Sequence, residues 1–158
     1  VVLGLVEQGY VAEGVTLYVG YQVLSKEGAS SYQGPLKFNH YGRKVPPSVH
    51  GTGKVDGPTA SLSRIMEAVL KLYDKLVDRE LEVRRMSIAA IRLSPAEEVP
   101  TQTSLFVDRQ EDEREMALIK TTISLHKRFG KNSVVKGMDL FEASTIRERN
   151  NPIGGHRK

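Results

Sequence analysis

The chain has 158 residues, a length that suits one core of ordinary size with appendages better than two full domains. It contains no Cys, which excludes disulfides, thiolate nucleophiles and thiolate metal sites. No apolar run reaches the length of a membrane span, and the short apolar start lacks the features of a signal peptide. We therefore expect a cytoplasmic protein without membrane contact. Because the chain opens on an apolar pattern at Val1, without Met, we expect it to be cut from a longer one.

The formal net charge of +4 is unevenly distributed along the chain. Lys and Arg outnumber Asp and Glu by 9 to 3 in residues 117–158, whereas acidic residues lead by 7 to 2 in residues 96–116. An acidic linker thus separates a mildly basic body from a strongly basic tail. This asymmetry favours a polyanionic partner, although a basic tail can equally be a solvated one.

The first half of the chain predicts a helix, two strands and a long loop. Residues 1–8 are typical of a helix that ends at Gly9, where glycine adopts a left-handed conformation at low cost. Residues 15–23 alternate between apolar side chains and polar or small ones, which predicts a strand with one buried face. Residues 36–41 also alternate, and we expect them to form a hairpin with the first strand. Residues 42–58 are rich in Gly and Pro and predict a loop.

The predicted loop contains Gly-Thr-Gly-Lys at positions 51–54, which invites comparison with a phosphate-binding loop. The comparison fails because Ser48 stands where the motif requires a glycine. In addition, Val55 replaces the Ser or Thr that would hold magnesium. The glycine spacing does not fit a dinucleotide-binding fingerprint either.

The second half predicts a helix, a strand, a linker and another helix. Apolar residues at three-four spacing predict a helix over residues 60–78 that covers the apolar side of the sheet, followed by a strand over residues 83–93. Residues 94–101 are typical of an acidic, Pro-bearing linker. Residues 111–129 predict a helix that ends at Gly130, and residues 133–135 a short extended run.

The strand over residues 83–93 has two unlike sides. Met86, Ile88 and Ala90 fall on one side, and Arg85, Ser87 and Ala89 on the other. A cationic side with small residues lets a large flat partner approach the sheet, and a phosphate backbone is the obvious candidate. The alternative is an ordinary half-buried strand with solvated arginines.

Catalytic residues are not recognisable in this chain. The four histidines, at positions 40, 50, 126 and 156, are scattered and none is paired at metal-ligand spacing. Five acidic residues between positions 108 and 115 are dense enough for a metal site, but acidic residues are favoured in a first helical turn for dipole reasons alone. We therefore expect no catalytic residues, no metal site and no self-contained enzyme.

Three stretches together resemble the C-terminal part of a bacterial Y-family translesion DNA polymerase, of the UmuC/DinB-like, ImpB/MucB/SamB group. They are GVTLYVGYQ at 14–22 with VRRMSI at 83–88, QTSLF at 102–106, and the tail at 127–158. The resemblance implies that residues 1–94 are the little finger, an α+β domain. In the family this domain is an antiparallel four-stranded sheet with two helices on one face, ordered strand, helix, strand, strand, helix, strand. Our elements match that order without its first strand, and with a C-terminal helix and tail added.

The resemblance also assigns the uncovered side of the sheet to the DNA backbone. Alternation along the strands places seven of the residues implied by the resemblance on this side, and Arg84 is added because Arg84 and Arg85 match an arginine pair of the family. The implied DNA-binding residues are Thr16, Tyr18, Gln22, Lys37, Asn39, Arg84, Arg85 and Ser87. Ala89 stands where relatives often carry a further cation, and Arg92 lies on the opposite parity. With phosphate contacts dominating, binding should depend on salt and not on sequence.

Residues 102–106 resemble the motif with which these polymerases bind the sliding clamp. Gln102, Ser104, Leu105 and Phe106 match it, and Thr103 departs from it. Two large apolar residues in a linker would leave water by entering a pocket of a partner. The alternative is that Leu105 and Phe106 fold back on the body.

We therefore predict a non-catalytic DNA-binding domain at 1–94, a clamp-binding linker at 95–110, and a helix with a basic tail at 111–158. The partners would be double-stranded primer-template DNA, the sliding clamp, and the palm, fingers and thumb of a parent polymerase that acts in DNA damage repair and SOS bypass. Magnesium and dNTP are expected only in that catalytic core. The rival hypotheses are an adaptor that binds the clamp or a repair protein without touching DNA, and a small metal-dependent nuclease using residues 111–115.

Overall fold

The structure, a computed structural model, describes residues 1–25, 28, 32–99, 109–142 and 144–150. The chain divides into two compact units, Val1–Leu105 and Phe106–Lys158. The first unit contains, in chain order, α1 (Val2–Gln8), β1 (Tyr10–Tyr21), β2 (Lys37–Phe38), β3 (Lys44–Val45), β4 (Val49–Thr59), α2 (Leu62–Leu76) and β5 (Val83–Pro95).

The main sheet has three antiparallel strands in the order β4, β1, β5. Its central strand alternates as the sequence predicts: Val15, Leu17 and Val19 are fully buried, whereas Thr16 is half-buried and Tyr18 exposed. The helix before it ends at Gly9, whose φ of 72° is the left-handed conformation that a glycine adopts most easily. Helices packed against an antiparallel sheet confirm the predicted α+β class.

One face of the main sheet is covered by α2, which contacts β4 and β1. The helix begins after Ser61, whose side chain accepts a hydrogen bond from the Arg64 N–H, and its apolar stripe, including Ile65 and Leu72, is buried. Gly51 and Gly53 of β4 lie beneath it, and a Cβ added at Gly53 would stand 3.2 Å from the Leu72 side chain. These glycines let helix and strand approach closely.

The prediction of a loop over residues 42–58 is wrong, because most of it forms β4. The glycines that made this segment look irregular are on the side that faces α2, where they leave room for the leucines of the helix. The partner proposed for the first strand is also wrong. Lys37 and Phe38 of β2 pair with Val45 and Lys44 of β3 in a separate two-stranded hairpin.

A buried tyrosine joins the end of β1 to the end of α2. The Tyr21 hydroxyl accepts a hydrogen bond from the Asp78 N–H at 3.0 Å, and the Tyr21 side chain is buried. The Tyr32 hydroxyl lies 3.5 Å from the Asp78 carboxylate. Desolvation, and then the charge of Asp78, raise the pKa of Tyr32 above its ordinary value.

The second unit contains α3 (Arg109–Phe129), a 3-10 turn (Gly137–Leu140) and α4 (Ile146–Asn150). Gly130, with a φ of 89°, follows α3 as predicted. The His126 ring bonds the Val134 carbonyl at 2.8 Å, and the Asn132 side chain donates to the Arg147 carbonyl at 3.1 Å. The expected extended run at 133–135 is wrong, since Ser133 and Val134 are in a bend and Val135 is not in a strand. Within the described residues, no helix is both apolar enough and long enough to cross a bilayer.

Candidate nucleic-acid interface

The side of the main sheet opposite α2 is a surface that we call the open face. Strand register defines it as four rows of side chains across β4, β1 and β5. The rows are Lys54–Gly14–Ile91, Thr52–Thr16–Ala89, His50–Tyr18–Ser87 and Gly20–Arg85, with Arg84 beside the last one.

A β-bulge places two arginines at one end of the open face. Val83 lies opposite Tyr21 and Met86 opposite Val19, and both of those β1 residues belong to the covered side. Two residues, Arg84 and Arg85, are thus left between them, facing Gly20 alone. Strict alternation would have turned Arg84 toward the covered side. At the bulge the extra residue instead lets Arg84 share the open side with Arg85, and both residues are exposed.

The tyrosine of the third row leans toward this arginine end. A Cβ built at Gly20 would lie 3.6 Å from the Tyr18 ring and 4.0 Å from the Arg85 Cβ. The Tyr18 ring therefore lies within van der Waals reach of position 20, and it stands beside Arg85. The pair offers a phenol hydroxyl and a guanidinium to the same neighbourhood, a combination that suits a phosphate oxygen.

A second cationic group lies at the opposite end of the open face. Lys54 is exposed in the row of Gly14, and the Arg92 guanidinium covers Gly14, since a Cβ there would stand 2.8 Å from its Nη2. Arg92 has a φ of 52°, a left-handed conformation unusual for arginine. With Glu13, these residues border a shallow depression. The irregular backbone turns Arg92 over Gly14, so parity did not predict its position.

Among the described residues, no ion pair involves a cation of the open face, although Glu13 borders the depression beside Lys54 and Arg92. Lys71 pairs with Glu67 and Arg79 pairs with Asp74, and these four residues lie outside this face. Gly14 and Gly20 are six residues apart on β1, so at about 3.3 Å per residue the two cationic ends are separated by about 20 Å. Between them lie hydroxyl-bearing and small side chains.

Five of the predicted DNA-binding residues come together on the open face: Thr16, Tyr18, Arg84, Arg85 and Ser87. Gln22 follows β1, with its N–H donating to the Glu82 carbonyl at 2.9 Å. Lys37 and Asn39 are not on the main sheet. Lys37 belongs to the small hairpin, and the Asn39 side chain accepts the Tyr41 and Arg43 N–H groups of its turn. The prediction for Lys37 and Asn39 was wrong because it assumed that residues 36–41 pair with the first strand, whereas β2 pairs with β3.

Sequence reasoning missed three exposed residues of β4, His50, Thr52 and Lys54. A signal for them existed, because they alternate with Val49, the two glycines and Val55 in a strict period of two. The Gly-rich composition outweighed that signal.

The other predicted sites have less structural context. Gln102, Ser104, Leu105 and Phe106 lie outside the described residues. Among the residues that are described, no group of three or more acidic or histidine side chains is arranged to hold a metal ion. The acidic residues Glu111 and Asp112 occupy the first turn of α3.

Comparison with known proteins bears on the first unit. A family model described as the impB/mucB/samB family C-terminal domain matches residues 1–105. No curated protein and no solved structure gives a significant match. The matched range contains every residue of the open face and stops before α3.

Proposed function

The chain belongs to the impB/mucB/samB family, as a C-terminal domain of a Y-family polymerase, and from this premise we propose that its open face grips double-stranded DNA. The observation that carries the proposal is the placement of unpaired cations at both ends of an uncovered sheet. Arg84 and Arg85 stand at one end, Lys54 and Arg92 at the other, and the hydroxyl rows lie between.

The spacing of these cations supports a duplex as the ligand. The two ends are about 20 Å apart, and the major groove is about 12 Å wide. Each cationic end can therefore reach one of the phosphate backbones that border the groove. The side chains at the centre of the face, Thr16, Thr52 and Ala89, are small and let the DNA backbones approach the sheet.

The chemistry of the open face favours binding without sequence preference. Hydroxyl groups and cations contact phosphate oxygens regardless of the base. Such a grip suits the C-terminal domain of a polymerase that tolerates damaged templates. In this proposal nucleotide transfer, with magnesium and dNTP, belongs to the palm, fingers and thumb of the parent polymerase, and these residues hold the DNA.

A unique thiol tests the position of the DNA, since the chain has no Cys. The Ser87→Cys variant carries its thiol in the middle of the open face, next to Tyr18. The matched Lys71→Cys variant carries it on α2, where the Lys71 side chain is 74% exposed. Saturating primer-template duplex should slow alkylation of the first thiol strongly and leave the second unchanged. Equal alkylation of the Ser87→Cys variant with and without bound duplex would remove the open face as the DNA site.

We further propose that residues 102–106 tether the chain to the sliding clamp. Support comes from the sequence, where Leu105 and Phe106 follow Gln102 in a polar, acidic linker. Replacing both Leu105 and Phe106 by Ala should abolish retention on immobilised clamp. The matched control replaces Leu118 and Phe129 of α3, which are 69% and 63% exposed, and should leave retention intact. Undiminished retention of the first variant would contradict the tether.

A further inference from the structure

The hairpin formed by β2, β3 and their turn, residues 37–45, is an exposed aromatic element. The Tyr41 side chain is 81% exposed and the Phe38 side chain 69% exposed. Phe38 lies opposite Lys44, so an aromatic ring and an ammonium share one side of the hairpin. The His40 ring meets the Tyr41 ring edge-on, with centroids 5.4 Å apart. Large rings held in water at this density indicate a surface that a partner covers.

The turn of the hairpin is rigidly built. The Asn39 carboxamide oxygen accepts the Tyr41 N–H at 2.9 Å and the Arg43 N–H at 3.0 Å. The Asn39 carbonyl accepts the Gly42 N–H, and the Asn39 N–H donates to the Arg43 carbonyl. Gly42 has a φ of 69°, which lets the chain reverse. These bonds fix the backbone of the turn that carries Tyr41, so little backbone entropy is lost when a ligand stacks on its ring.

The charge of the hairpin is of one sign. Lys37, Arg43 and Lys44 supply three cations within nine residues, and no Asp or Glu occurs from position 28 to position 55. A purely cationic surface with protruding rings selects a ligand that carries both regular negative charge and flat faces. Unpaired nucleotides have both, whereas the bases of a duplex are stacked on one another. An acidic peptide would supply the charge without the flat faces.

The hairpin is fixed to the body near the arginine end of the open face. Pro46, directly after β3, is fully buried, and β4 begins three residues later at Val49, opposite Val19. Gly20, the next residue of β1, lies opposite Arg85. The hairpin is therefore connected to the same end of the main sheet as Arg84 and Arg85.

We propose that residues 37–45 form a separate site for single-stranded nucleic acid, in which Tyr41 and Phe38 stack on unpaired bases and Lys37, Arg43 and Lys44 hold the adjoining phosphates. This site goes beyond the duplex grip of the open face and uses different residues. It requires a ligand with exposed bases and is indifferent to their sequence, because every base has a flat face.

A unique indole tests the stacking, since the chain has no Trp. The Tyr41→Trp variant of the full chain is titrated with oligothymidylate, and its selectively excited fluorescence is followed. Stacking should quench it strongly, whereas inorganic polyphosphate at equal phosphate concentration should not. The matched Phe129→Trp variant places the indole in the second unit and should not respond to either ligand.

Affinity measurements keep this site distinct from the open face. The Tyr41→Ala variant should bind oligothymidylate roughly tenfold more weakly, as loss of one stacked base predicts, with duplex affinity unchanged. The Arg84→Ala, Arg85→Ala variant should bind duplex more weakly and leave the quench of the Tyr41→Trp variant unchanged. No binding of oligothymidylate, or equal quenching by polyphosphate, would overturn the proposal. Unchanged oligothymidylate affinity of the Tyr41→Ala variant would do the same.

Discussion

Replacing Arg84 and Arg85 together by Ala is the most quantitative test of the DNA grip. Arg84, Arg85 and Lys54 are exposed cations of the open face. Each phosphate that a cation neutralises contributes about 0.9 to the slope of log affinity against log salt concentration. The double substitution should therefore flatten that slope by about 1.8. If the two proteins bind equally near 1 M salt, the variant should bind duplex roughly 200-fold more weakly than wild type at about 0.05 M salt. At about 0.2 M salt it should bind roughly 20-fold more weakly than wild type.

The assay is a salt series of duplex-binding isotherms, measured by anisotropy of a labelled duplex. A variant with Lys71 and Arg79 replaced by Ala removes the same total charge away from the open face, from side chains paired with Glu67 and Asp74. It should keep the wild-type slope. If both variants flatten the slope equally, duplex binding depends on the net charge of the protein and not on the cations of the open face. An unchanged slope in the arginine variant would refute the reasoning altogether.

Three further predictions concern the body that supports the open face. The Gly53→Val substitution should lower the free energy of unfolding by about 1–3 kcal/mol in urea titrations, because its side chain would push α2 away. The Gly4→Ala substitution, at a helical site with free space, should raise the free energy of unfolding by up to about 1 kcal/mol. The Tyr21→Phe substitution should cost about 1 kcal/mol, since the Asp78 N–H loses its acceptor. The raised pKa of Tyr32 contributes stability that is present below its ordinary value of 10.0 and is lost as pH rises above it. The Tyr32→Phe variant should therefore lose less stability than wild type across that pH range, and an equal loss would contradict the assignment.

Elements with a clear period were predicted well from sequence. Alternation in β1 and three-four spacing in α2 each report which side is buried, and burial is what decides such elements. Gly9 and Gly130 marked helix ends because their left-handed conformations are costly for other residues. Alternation also predicted the face on which Thr16 and Ser87 lie, because β1 and β5 pair without a register shift over that stretch.

The parts that sequence could not give depend on partners across space. β4 was missed because its glycines are required by the close approach of α2, which is a tertiary contact. In the sequence, glycines with this role look the same as glycines of a loop. Arg84 reached the open side through a bulge, and Arg92 reached Gly14 through a left-handed backbone. Neither irregularity has a local signature in these residues. The covered side of β5 is also less enclosed than expected, with Met86 45% exposed, because α2 lies over β4 and β1.

The bulge at Arg84 also determines where this strand can change length. Removing Arg84 alone would leave Val83 opposite Tyr21 and Arg85 opposite Gly20, so a regular ladder would form and every later side chain would keep its face. Removing one residue farther along, at Ser87 for example, would reverse the two faces for part of the strand. Position 84 is thus the point at which a deletion would cost the domain one positive charge and some local twist, and leave its core intact.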